Sequence, residues 1–146
     1  MKVSDILAQK SSKLVGIASE TSVRRAVAIM AAEHVGALVV EDLDGRLLGV
    51  VSEHGVIDGL ARRGGHLLDM SVSEILVADG PTVSPDDSVT AAMRLMTERR
   101  ARHLPVIADA RLVGLISVGD VLKSRLAEKT EEVSVLQDIA RFRLAV

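Results

Sequence analysis

Ser117, Gly119 and Asp120 fall within four positions, where an apolar run of the second half reads as turning from a strand into a helix. In a Ser-x-x-Asp pattern the hydroxyl can accept from the backbone N–H three residues on, while the carboxylate answers the N–H of the capping residue; one reading is a capping box and nothing more. The same geometry can also hold a ligand. A helix start offers free N–H donors and the positive end of the peptide dipole, which suits a phosphate. Gly119 allows close backbone approach, and a carboxylate one turn in can accept from both hydroxyls of a ribose. Hydroxyl, glycine and carboxylate together make a candidate nucleotide site.

The first half carries the same segment with one chemical change. Gly49-Val50-Val51-Ser52-Glu53-His54-Gly55 answers to Gly114-Leu115-Ile116-Ser117-Val118-Gly119-Asp120, so Gly55 stands where the second copy has its carboxylate. A second site at Ser52, Glu53 and His54 is therefore expected to be weaker, empty, or occupied by a different group such as the far end of a dinucleotide. Other chemistry finds little support. His34, His54, His66 and His103 show no i, i+4 pairing of the kind a helical metal site uses, so no metal is expected. No serine lies in a Gly-x-Ser-x-Gly elbow, and the absence of cysteine excludes thiol catalysis and disulfides. Arg99, Arg100 and Arg102 form a local cation cluster, read first as a solvated helix end and second as a source of one phosphate contact.

The elements that must position these residues come in two matching sets. Val23, Ala26, Val27 and Met30 follow helical spacing, as do Val89, Ala92, Met93 and Met96, which predicts amphipathic helices over 22–34 and 88–100. Thr21 and Asp87 stand in N-cap-like positions before them. Apolar runs Ala37 to Val40 with Leu47 to Val51, and His103 to Ile107 with Leu112 to Ile116, read as hairpins leading into helices at 53–62 and 118–128. Short extended lead-ins at Val15 to Ile17 and Thr82-Val83 precede each set. The expected organisation is a first unit over 1–65, a second over 66–128, and a helical tail over 129–146 with Val135, Leu136, Ile139 and Phe142 along one side. Repeats of this length pack face to face and share clefts, so the fold class is α/β with function sought between the units.

Composition narrows the function. The chain of 146 residues is 48% hydrophobic but only 1% aromatic, which weighs against the base-stacking platforms of single-strand nucleic-acid binders. A net charge of −2 supplies no basic field for phosphate backbones. The longest apolar runs fall well short of the roughly 20 residues of a membrane helix, and no signal-peptide pattern opens the chain, so the expectation is a cytoplasmic protein that contacts neither membrane nor nucleic acid.

The duplicated helix–strand–strand–helix unit, the Arg102-His103-Leu104-Pro105-Val106 strand and the Gly114–Asp120 segment resemble a tandem pair of CBS domains, the modules named for cystathionine β-synthase and called a Bateman module when paired. The resemblance covers about residues 1–128 and is nearest to stand-alone bacterial CBS-pair proteins. It implies a non-catalytic regulatory module that binds an adenosine nucleotide: AMP foremost, or ADP, ATP, NAD or S-adenosylmethionine. It also implies roles residue by residue. Ser117 would meet phosphate or ribose, Asp120 the ribose hydroxyls, His103, Leu104 and Pro105 the base region, and Thr82 and Val83 the lead-in side of the cleft, with Arg102 also among the nucleotide-binding residues. The family further implies a homodimer and, since no effector domain is fused, an effector protein acted on in trans. The rival reading is a ligand-free interaction module working through its dimer surface.

Overall fold

The computed structural model describes residues 1–10 and 14–145, with side chains described as far as Phe142; Val146, the end of the expected tail, lies outside the described residues. In chain order the elements are α1 (Val3–Gln9), β1 (Gly16–Ile17), α2 (Val23–Glu33), β2 (Ala37–Glu41), β3 (Leu47–Ser52), α3 (Glu53–Arg63), 3-10 turns at Gly65–Asp69 and Val72–Glu74, α4 (Val89–Arg99), β4 (His103–Ala108), β5 (Arg111–Ser117) and α5 (Val118–Ala145). The two amphipathic helices form where the spacing places them, but their caps sit one residue later than Thr21 and Asp87. Ser22 Oγ accepts from Arg25 N at 3.1 Å and Ser88 Oγ from Ala91 N at 3.0 Å. Asp87 instead accepts from Ser84 N at 2.8 Å, closing the turn ahead of the helix.

Both hairpins are antiparallel, and the repeat extends to their register: Leu38 faces Val51 as Leu104 faces Ile116. The lead-ins lie parallel to the middle strands, with β1 pairing Gly16 to Val39 and a single bridge pairing Val83 to Val106. The first hairpin turns on Asp42, whose Oδ1 accepts from Asp44 N and Arg46 N, both at 2.9 Å, with Gly45 at φ 78°. The second turns through Asp109 and Ala110 at φ 50° and 63°, a left-handed pair built without glycine.

Packing crosses the halves of the sequence. Val3 and Ile6 of α1 are buried with Val89, Ala92, Leu104 and Ile116, in the core of the second unit. Leu67 and Val72, from the start of the second unit's sequence, are buried with Val23, Ala26, Leu38 and Val51 in the first. Backbone bonds fix the exchange at both ends: Val3 N donates to Asp87 O at 2.9 Å, and Val72 N donates to Thr21 O at 2.8 Å. The repeat boundary near residue 65 thus divides the sequence, while each core draws its opening segment from the other side of that boundary.

The tail is not a separate element. No glycine or proline follows Gly119, and α5 runs unbroken from Val118 to Ala145, straight through the expected break at 128. Val121 and Ser124 are buried against the second core; beyond Glu128 every described side chain is exposed.

Candidate functional site

β5 delivers Ser117 to the start of α5, and Asp120 follows in the first helical turn. The capping box is closed: Asp120 N donates to Ser117 Oγ at 3.1 Å, and Ser117 N donates to Asp120 Oδ2 at 2.9 Å. A third partner comes from the far end of the chain. Lys10 Nζ donates to Asp120 Oδ2 at 2.8 Å and to Leu115 O at 2.8 Å. All the carboxylate's bonds fall on Oδ2; among the described residues none falls on Oδ1. These groups line a cavity of about 310 Å³ together with Val15, His34, Gly36 and His103.

A second, larger cavity of about 890 Å³ holds the other segment start. Ser52 Oγ caps α3 by accepting from Gly55 N at 3.1 Å, and with Gly55 in place no carboxylate returns the bond. Glu53, His54, Thr82, Pro105 and the arginines Arg99, Arg100 and Arg102 complete much of the wall. The copy expected to be the lesser thus opens the roomier cleft. Position 55 could take a carboxylate, because an added Cβ would meet only Ser52 Oγ at 3.5 Å and Ile75 O at 3.7 Å, and no positive φ demands glycine.

The residues expected around Asp120 are divided between the two cavities. Only His103 joins Ser117 and Asp120; Thr82, Arg102 and Pro105 lie with Ser52 instead. Val83 and Leu104 are buried in the second core and line neither, and Gly119 is exposed just outside. The physical reason is the crossing of the units: each cleft joins the helix start of one hairpin to the lead-in and helix end of the other. Sequence reading missed Lys10, Val15, His34 and Gly36 at the Asp120 cavity. For Gly36 the signal was available, since it occupies in the first copy the place of Arg102 in the second; Val15 lies in the first lead-in, two residues before Ile17, the counterpart of Val83. For Lys10 there was none: it falls between the repeated segments of the first unit and meets a partner 110 residues away.

His103 lines both cavities, and Gly36 makes room between them. A Cβ on Gly36 would stand 2.6 Å from Glu53 Oε1 and 3.5 Å from His103 Nε2. Burial and the Lys10 charge lower the His103 pKa below its ordinary 6.5 against the opposing pull of Glu53 and Asp120, so the ring is neutral at pH 7. For Asp120, burial acts to raise the pKa, but the hydrogen bonds from Lys10 and Ser117 outweigh it and hold the carboxyl below its usual range.

A carboxyl whose pKa is depressed by folding stabilises the fold above its unfolded-state pKa, and that contribution is lost as pH falls through the folded value. Asp120→Asn should therefore be less stable than wild type at pH 7, with the gap closing as pH drops below the ordinary 3.8. Urea unfolding of both proteins between pH 7 and pH 3 measures this; a gap of constant size across the range would contradict the ion pair.

Comparison with known proteins agrees with the duplicated architecture. The profile of the CBS domain matches residues 3–62 and again 72–127. The mitochondrial CBS domain-containing protein CBSX3 of Arabidopsis thaliana is 32% identical over 142 residues, spanning 92% of this chain and 69% of that one. The crystal structure of the CBS-domain containing protein ATU1752 from Agrobacterium tumefaciens superposes with a TM-score of 0.82 at 34% identity, over 86% of this chain and 99% of that one. A crystal structure of CBSX2 in complex with AMP superposes with a TM-score of 0.72 at 26% identity, over 88% of this chain and 98% of that one. With both halves matched by one profile and 86% of the chain superposing on a related structure, the chain belongs to the CBS-domain family, as a tandem pair whose last helix runs on past the second match.

Proposed function

We propose that this chain is a non-catalytic regulatory module of the cytoplasm that binds an adenine nucleotide (AMP, ADP, ATP or NAD) and passes its occupancy to an effector protein in trans. The observation that carries this reading is the Ser117/Asp120 pair at the start of α5, set in a cavity at the small end of the range of about 300–1,000 Å³ usual for ligand sites. Among the described residues Asp120 Oδ1 is left to accept a ribose hydroxyl, and neutral His103 offers a polar ring beside it. AMP bound to the related CBSX2 supports an adenosine ligand. The larger cavity, with three arginines and no carboxylate at position 55, suits a polyphosphate or the second half of a dinucleotide better than a ribose. The two clefts are therefore unequal by construction.

Isothermal titration with AMP, ATP, NAD and S-adenosylmethionine tests the reading. Asp120→Ala, which removes hydrogen bonds to a charged group worth about 1.5–3 kcal/mol, should weaken the bound nucleotide roughly tenfold or more. Gly55→Asp should strengthen binding in the larger cavity. Unchanged affinity in a folded Asp120→Ala variant would exclude this cleft, and two equal independent sites in wild type would exclude the asymmetry. No heat with any of the four ligands would favour the ligand-free interaction module.

A homodimer is part of the same reading. Leu122, Leu126, Val133, Leu136, Ile139 and Phe142 of α5 are 47% to 73% exposed, an apolar stripe that its own chain leaves uncovered among the described residues. Such stripes mark interfaces, and closed two-fold dimers are their commonest resolution. Light scattering should give a dimer for the full chain at micromolar concentration and a weaker one for a truncation after Leu126. A monomeric full chain would overturn the dimer, and an equally stable truncated dimer would remove the role of the helix.

A further inference from the structure

Lys10 puts a fixed ammonium on the carboxylate of the small cavity. Its Nζ is 2.8 Å from Asp120 Oδ2 and 2.8 Å from Leu115 O, with the two charged side chains only 24% and 23% exposed. Among the described residues, two of the three donors of the ammonium are thus committed. The position is held by the fold rather than by chance approach. Lys10 caps the C-terminus of α1, its own N–H donating to Ile6 O at 3.0 Å, and Ile6 is buried in the second core.

A ribose that closes on Asp120 must share the carboxylate with this ammonium or draw it off. The chemistry of the incoming ligand then decides the outcome. A phosphate brings a new counter-ion, so that Lys10 stays paired while Asp120 turns to the hydroxyls. A neutral nucleoside brings none, and where its ribose draws Asp120 off it leaves a part-buried ammonium with Leu115 O alone, which is costly. A cationic ligand fares worst, because Asp120 is already neutralised and Lys10 repels it. The other ionisable groups on this wall, His34 and His103, carry no negative charge that would offset the effect.

We propose that Lys10 is a specificity-determining residue, which by exchanging Asp120 for a ligand phosphate makes the small cavity select anionic ribonucleotides over neutral nucleosides and cationic sulfonium ribosides. This rests on the adenosine-ligand reading above and adds the ligand class. The probes are AMP, adenosine and S-adenosylmethionine, titrated by calorimetry into wild type, Lys10→Met and Lys10→Arg, each first checked for folding by its thermal transition. Wild type should bind AMP at least tenfold more tightly than adenosine. Lys10→Met should shrink that ratio about tenfold, with loss of AMP affinity and of its salt dependence, and should improve S-adenosylmethionine. Lys10→Arg, which keeps the charge, should retain the preference. Binding with the same AMP-to-adenosine ratio in folded Lys10→Met overturns the role of Lys10 alone. No binding of any probe to any of the three proteins overturns the adenosine-ligand reading and this inference with it.

Discussion

Each half of this chain completes the core of the other. Val3 and Ile6 are buried under the second hairpin and Leu67 and Val72 under the first, so neither unit closes without the segment that its neighbour's half supplies. That exchange fixes much else. It carries the lead-in and helix end of one unit against the helix start of the other, and the two clefts are the spaces left between them. It also delivers Lys10, at the end of an N-terminal helix, to a carboxylate in the second unit. A repeat of about 60 residues with this much apolar surface can hardly be a free-standing module, which is the general condition of stacked repeats.

Electrostatics then separates two clefts that the backbone makes nearly alike. Both start with a serine hydroxyl capping a helix, at 3.1 Å in each case. One adds a carboxylate, a lysine and His34 within a small space; the other adds a glutamate, His54 and three arginines around a larger one. His103 and Gly36 stand on the wall between them. Occupancy of either cleft would be felt by the same imidazole, whose charge state depends on Lys10, Glu53, Asp120 and Arg102. A regulatory role needs some such shared element, since coupling between sites requires a group that both bias.

Much of the fold was legible because it is written twice. Helical spacing at Val23–Met30 and Val89–Met96 and the paired apolar runs placed their elements to within a residue or two. Caps at Ser22 and Ser88 were missed by one position because Thr21 and Asp87 are equally good cap residues and only the geometry chooses. The continuity of α5 was missed because similarity to the first unit, whose α3 stops at Arg63 before the capping Gly64, implied a stop that the sequence after Gly119 does not contain. The Ser117/Asp120 pair was legible from its spacing. Its surroundings were not, since a repeat shows which positions are equivalent but not that equivalent segments trade places, and the Lys10 contact is visible only in three dimensions.

The assignment of the ligand to the Asp120 cleft is tested most directly by amide NMR of the full chain during an AMP titration. The amides of Gly36, His103, Ser117 and Asp120 should shift together and saturate with one affinity, ahead of any change at Arg99 and Arg100. Saturable shifts confined to the larger cavity or to α5 beyond Glu128, or no saturable shift anywhere, would contradict it.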